Sequence, residues 1–233
     1  MKKIRYVDLG MMEYEEAFVL QQQINEYLKR NREVPGFLFF VEHPPVFTLG
    51  RNRKSNDFLF SVEAVKSQGF QIFESNRGGN VTYHGPGQIV GYLLVNMEHF
   101  KKDVQWFVWQ MEEWVITTLK QFGLEGKRKE EYRGIWIDHE KICALGVAIK
   151  RWSTMHGFAI NHQTNLDHFA YINPCGITEF GVTSMEKLGI FRERKEVIQA
   201  LQKTFELLYE AKLVPTTLEE VKNFVSEKET GMA

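Results

Sequence analysis

Cysteine is scarce in this sequence: only Cys143 and Cys175 occur, with no Cys-x-x-Cys pair and no His-Glu-x-x-His stretch. That excludes a disulfide scaffold and the common signatures of a zinc site, and no metal is expected. Long apolar runs are also missing. The clearest, Phe37 to Val41, falls far short of the roughly 20 residues of a membrane-crossing helix, and no apolar signal core follows Lys2 and Lys3. A cytoplasmic protein is expected, with no membrane contact. Neither sign of charge is in excess: the formal net charge is −1 with 25% charged residues, which argues against a basic nucleic-acid binder or an acidic tail. No repeat, low-complexity tract or Gly/Ser/Pro-rich linker divides the chain. One domain spanning 1–233 is the expectation.

The chain does have apolar content, 43% of 233 residues, enough for a sizeable core. Its patterning predicts a short strand at 4–8, a helix over 12–31 and a buried strand from Gly36 to Glu42. His43-Pro44-Pro45 interrupts that strand and 46–50 resumes it. Residues 71–75 and 79–83 read as a strand pair, and 88–96 as another strand. A helix follows over 103–122, with Val104, Phe107, Met111, Trp114 and Leu119 on one face. Strands near 134–138, 141–150 and 154–161 are spaced as an antiparallel meander, and two helices end the chain at about 193–211 and 216–227. Strands mixed with helices, without regular βαβα alternation, indicate an α+β fold.

Four segments carry candidate chemistry. In Arg77-Gly78-Gly79-Asn80-Val81-Thr82-Tyr83-His84-Gly85-Pro86-Gly87-Gln88, the paired glycines allow close backbone approach or positive φ, and Gly85-Pro86-Gly87 forces a turn. The run lacks the spacing of a phosphate loop, and on composition alone a tight hairpin with a satisfied histidine accounts for it equally well. In Lys141-Ile142-Cys143-Ala144-Leu145-Gly146, a lysine opens an apolar strand; taken alone it reads as a solvated strand end. Met155-His156-Gly157-Phe158-Ala159-Ile160-Asn161 mixes small and bulky residues, which suits either a ligand against the backbone or close strand packing. In Asn173-Pro174-Cys175-Gly176, a thiol sits on a rigid turn, the better placement for a reactive cysteine, whereas Cys143 fits a buried strand. Cys175 is the candidate nucleophile.

Taken together with Glu42-His43-Pro44-Pro45-Val46-Phe47-Thr48-Leu49-Gly50, these segments resemble the lipoyl (octanoyl) transferase family, also called lipoate-protein ligase B. The resemblance spans roughly residues 36–185, and Lys141 precedes Cys175 by 34 positions, as in the family's lysine–cysteine pair. It implies a mixed β-sheet flanked by helices, like the catalytic domains of biotin and lipoate ligases. It further implies octanoyl transfer from acyl carrier protein, through a Cys175 thioester, to a lysine of a lipoyl domain. The acceptors would be 2-oxoacid dehydrogenase subunits and the glycine-cleavage H protein. Catalytic roles carry over to Cys175 and Lys141. Substrate contacts carry over to Arg77, Gly78, Gly79, Asn80, Val81, Thr82, Tyr83 and His84, to Ala144, Leu145 and Gly146, and to Gly157, Phe158 and Ala159.

A thiol with a pKa of about 8.5 needs a neighbour to become a thiolate at neutral pH, and Lys141 offers either a cation or, when desolvated, a base. No cofactor is required, because thioester exchange is nearly balanced and amide formation from a thioester is downhill. Arg51, Arg53 and Lys54 are candidates for meeting an acidic carrier protein. Arg133-Gly134-Ile135-Trp136 departs from the proline-glycine start common before the family's lysine strand. The rival readings are an ATP-dependent lipoate or biotin-type ligase, which needs no cysteine nucleophile, and a non-catalytic protein that binds acyl groups or lipoyl domains.

Overall fold

A computed structural model describes residues 1–173 and 181–227. The elements in chain order are β1 (Lys2–Met11), α1 (Tyr14–Arg30), β2 (Gly36–Glu42), β3 (Val46–Leu49), α2 (Val62–Ser67), β4 (Gln71–Glu74), β5 (Val81–His84) and β6 (Gln88–Val95). After these come α3 (Val104–Lys120), β7 (Ile135–Ile137), β8 (Glu140–Lys150), β9 (Ser153–Asn161), β10 (Gly181–Val182), α4 (Arg194–Tyr209), β11 (Ala211–Pro215) and α5 (Leu218–Glu227).

The large sheet runs β10-β8-β9-β6-β2-β1-β11, with β7 paired to β8. It is mixed. β1 is parallel to both β2 and β11, and β10 is parallel to β8, while β2–β6, β6–β9, β8–β9 and β7–β8 are antiparallel. Its central strands β6 and β9 are buried along their whole length because both faces are covered. On β2, Phe37, Phe39 and Val41 enter the core beneath α1, whereas Leu38 and Phe40 enter the one beneath α3 and α4. Helix α3 starts where the Asp103 carboxylate accepts the Trp106 amide at 3.0 Å, a side-chain cap, and it buries Trp114 against Phe158 and Phe205. Among the described residues no helix is long and apolar enough to cross a membrane.

A second sheet, β4-β3-β5, encloses its own core of Phe47, Val65, Phe70 and Tyr83. Here the structure corrects the expected pairing of 71–75 with 79–83. β4 and β5 do not pair with each other; they flank β3, parallel on one side and antiparallel on the other. Gly85-Pro86-Gly87 accordingly makes no hairpin. It is the corner at which the chain leaves the small sheet and enters β6 of the large one. Gly87 sits there at φ +80 with the Gln163 carbonyl where a Cβ would project. The helix expected to reach 211 ends at Tyr209, and Glu210 in the left-handed conformation turns the chain into β11.

Candidate active site

Small residues on facing strands make the floor of the site. β8 and β9 are registered so that Ala144 lies opposite Ala159 and Gly146 opposite Gly157. On the next strand Ala159 meets Val90 and Gly157 meets Tyr92. Directly paired residues share a face of a sheet, so these two rows form a shallow trough on the side that α1 covers. Above it lies a cavity of about 280 Å³, lined by those six residues together with Arg77, Gly79, Asn80, Val81, Thr82, His84, Leu145 and Phe158. The glycines are also needed for packing. A Cβ on Gly157 would collide with the Gly91 carbonyl, and one on Gly146 would lie 3.1 Å from both Arg77 Cδ and the Gly78 carbonyl.

Lys141 reaches the same cavity, which strict alternation from Ala144 and Gly146 would forbid. A bulge accounts for this. Ile135 pairs with Cys143 while the next residue, Trp136, pairs with Lys141, so Ile142 is an extra residue on β8. Ile142 and Cys143 both enter the core under α3, and the alternation is reset, turning Lys141 onto the trough side. Re-aiming a side chain is a recurrent use of bulges. Cys143 itself is fully buried, with its thiol pKa pushed up by that burial, as suits a small core residue. Cys175 lies outside the described residues.

Lys141 and Val147 are six residues apart on β8, roughly 20 Å along the strand. At the Val147 end the histidines are buried and neutral, each bonded to a fixed partner. His43 Nδ1 donates to the Met12 carbonyl at 2.7 Å, so its Nε2 accepts from the Tyr92 hydroxyl at 2.7 Å. Between the two ends, His84 Nδ1 donates to Gln88 Oε1 at 2.7 Å, an orientation fixed because Gln88 Nε2 donates to the Tyr83 carbonyl and to Asn161 Oδ1, the residue that register brings level with Ile142. His156, paired with Val147 and at φ +64, donates from Nε2 to Asn76 Oδ1 at 2.6 Å and stacks on Phe18. Burial lowers the pKa of His43 to about 4 and those of His84 and His156 to about 3. The same burial raises the Tyr14 and Tyr92 hydroxyls above their usual range.

Arg77 is the buried cation of this end. It donates to the Thr48 carbonyl at 2.6 Å, to Thr48 Oγ1 at 2.9 Å and to the Gly78 carbonyl at 3.0 Å. Its guanidinium ties the glycine loop to β3 while its flank lines the cavity.

Two residues expected at the site lie elsewhere. The Tyr83 side chain alternates away from Thr82 and His84 into the core of the small sheet, where its hydroxyl meets His168 Nδ1 at 2.6 Å. Gly78 is not in the cavity wall, because its amide is spent on the Val147 carbonyl at 3.0 Å. Conversely, Tyr14, Gln88, Val90, Tyr92, Asn161 and His156 line the cavity without having been singled out as substrate contacts. Gln88, His156 and Asn161 stood in quoted segments; Tyr14, Val90 and Tyr92 become neighbours only through the tertiary fold. Of the basic residues expected near the mouth, Lys54 lines the cavity, while Arg53 is paired with Glu74 at 2.7 Å. Among the described residues no group of three His, Cys, Asp or Glu is placed to hold a metal ion.

The model for the lipoyl protein ligase A/B catalytic domain matches residues 13–206. The chain belongs to this family. Within the lipoyl ligase family its similar relatives include an octanoyltransferase of Caldicellulosiruptor saccharolyticus, 43% identical over 97% of each chain, and one of Caldanaerobacter subterraneus, 43% identical over 91% of this chain and 92% of that one. Among solved structures, a lipoate-protein ligase A bound with ATP superposes with a TM-score of 0.78 at 18% identity, covering 98% of this chain and 94% of the other. At that identity the likeness is one of fold, and it agrees with the mixed sheet flanked by helices.

Proposed function

We propose that this chain moves octanoyl from the phosphopantetheine thioester of an acyl carrier protein to a lysine of a lipoyl domain, through a thioester on Cys175 with Lys141 as the cysteine's partner. Its class is that of an acyltransferase of lipoate biosynthesis, the class for which its octanoyltransferase relatives are named. The observation that carries the mechanistic reading is the bulge that turns Lys141 onto an apolar trough floored by Ala144, Ala159, Gly146 and Gly157. A saturated chain needs a smooth surface without side-chain obstructions, and the facing small residues supply one.

In this account the acyl tail lies toward His156 and the carbonyl lies at Lys141. The Cys175 thiolate adds to the donor carbonyl, and the carrier's thiolate leaves with the proton that the cysteine gave up through Lys141. The acceptor lysine then attacks the Cys175 thioester as a neutral amine. The amide bond forms, the C–S bond breaks, and the amine's proton returns by way of Lys141 to the cysteine. Every step exchanges one acyl bond for another, so no nucleotide enters. The acceptors are lipoyl domains of 2-oxoacid dehydrogenase complexes and the glycine-cleavage H protein.

The test is transfer from octanoyl-acyl carrier protein to a lipoyl domain with no nucleotide present. The account expects an octanoylated acceptor with the wild-type chain and none with Cys175→Ala. Transfer only from free octanoate and ATP, unchanged in Cys175→Ala, would assign the chain to ligase chemistry instead.

A further inference from the structure

The bulge that turns Lys141 toward the trough also places it directly opposite Trp136 across the β7–β8 pair. The Lys141 ammonium lies 4.8 Å from the centre of the Trp136 ring. That ring is held from several sides. Trp136 is 3% exposed, its indole N–H donates to the Tyr132 carbonyl at 3.0 Å, and its backbone exchanges two hydrogen bonds with Lys127, at 2.8 and 2.9 Å. The lysine stem runs along Gly134. A Cβ there would come within 3.2 Å of both Lys141 Cδ and Cε, and Gly134 holds φ +131, which other residues rarely adopt. Backbone clearance at Gly134 and an aromatic face at Trp136 thus define the path of a side chain that would otherwise sample many rotamers.

We propose that Trp136 is a positioning residue for the transfer reaction, a fixed aromatic seat that orders the Lys141 ammonium at the head of the trough. The inference rests on the role given to Lys141 above. An indole face attracts a cation through its quadrupole, most strongly where water is excluded. The seat orders the side chain, fixing where the ammonium lies. The other charged groups of this region are accounted for among the described residues. Lys129 lies 4.3 Å from the centre of the same ring and opposes the effect. Glu112, below the loop, is engaged by Arg128 at 3.2 Å and Arg133 at 3.8 Å, and Glu140 by Lys187 at 2.7 Å. Glu131 and Arg133 line the cavity from the loop before β7.

The experiment compares Trp136→Leu, Trp136→Phe and full-length protein carrying mono- to tetrafluorinated tryptophan at position 136, which weakens the ring's quadrupole at nearly constant volume. Two readouts are taken: kcat and donor KM with octanoyl-acyl carrier protein, and the rate of Lys141 acetylation by acetic anhydride at one fixed pH, followed by peptide mass spectrometry. The expected result is a kcat loss on the order of tenfold in Trp136→Leu, with donor KM within about twofold, largely restored in Trp136→Phe. With fluorination kcat should fall and Lys141 acetylation should quicken step by step, a response that packing alone does not produce. An unchanged kcat and an unchanged acetylation rate across the fluorinated series would overturn the proposal even if Trp136→Leu misfolds. Lys141→Ala separates the two layers. If that variant turns over normally, the assignment of Lys141 fails; if it is inactive while the fluorinated series is flat, only the role of Trp136 fails.

Discussion

The two ends of the cavity are built from opposite materials. Around His156 the histidines are buried and neutral, and each ring nitrogen that bonds does so to a fixed partner: His43 to Met12 and Tyr92, His156 to Asn76, with His84 bonded to Gln88 between the two ends. The one buried cation there, Arg77, is committed to Thr48 and Gly78. Around Lys141 the side chains are charged and partly exposed, with Lys54, Glu131 and Arg133 on the cavity wall. An end whose histidines and buried cation are already committed to fixed partners offers an acyl tail little to desolvate. A charged, open end suits a reaction that must pass protons and admit two macromolecular partners in turn. The difference predicts that damage at one end costs turnover and damage at the other costs stability.

Lys141→Ala should break the comparison most sharply. Turnover is expected to fall by roughly 10²–10⁴-fold, the usual range for a proton-transferring side chain, while the urea midpoint stays close to that of the parent. A parallel fall in stability would show that Lys141 is a structural strut.

Acid should act on the other end. His43, His84 and His156 stay neutral in the folded state down to about pH 4, 3 and 3, whereas an unfolded histidine titrates near pH 6.5. The unfolded chain therefore binds these protons first as pH falls. The stability that neutral burial supplies is present above pH 6.5 and is lost on the way down, at about 1.4 kcal/mol per pH unit for each histidine. Urea unfolding at pH 7 and pH 5 measures the slope, and His156→Asn, which tolerates the positive φ, should flatten it by about one proton.

Arg77→Met should cost about 2–3 kcal/mol, because it leaves the Thr48 carbonyl without its charged donor. Donor KM should rise as the glycine loop loosens, whereas the chemistry at Lys141 is read in a kcat that changes less. The smallest effect is expected from Lys54→Glu at the mouth: a donor KM higher by about threefold at low salt, with a weaker dependence on ionic strength. An unmoved KM would remove Lys54 from the carrier-protein interface.

Long periodic elements were legible from residues alone. The helix expected over 103–122 is Val104–Lys120, and the strand expected from Gly36 to Glu42 has those bounds. Of the short elements, β3, β4, β5 and β7 fall on expected strands, whereas α2, β10 and β11 were not anticipated. β11 pairs with β1, about 200 residues away, and occupies the gap left between the helices expected at 193–211 and 216–227, where Glu210 turns left-handed. α2 is a single capped turn and a half, too short for periodicity to register. At the site, the small residues of β8 and β9 stood out, but that Ala144 and Gly146 face Ala159 and Gly157 depends on register. The direction of Lys141 depends on one extra residue at Ile142, and alternation counted along β8 points it to the wrong face. Tyr83 failed for the converse reason: it belongs to a glycine-rich run whose neighbours line the cavity, and its own strand alternation takes it to the other side.

The account is tested most directly by intact-protein mass spectrometry after mixing the chain with octanoyl-acyl carrier protein in the absence of nucleotide. It predicts one octanoyl adduct, located on Cys175, labile to hydroxylamine, absent in Cys175→Ala, strongly slowed in Lys141→Ala and discharged when a lipoyl domain is added. A chain that octanoylates the lipoyl domain at full rate while never carrying the acyl group, or carrying it on another residue, would contradict it.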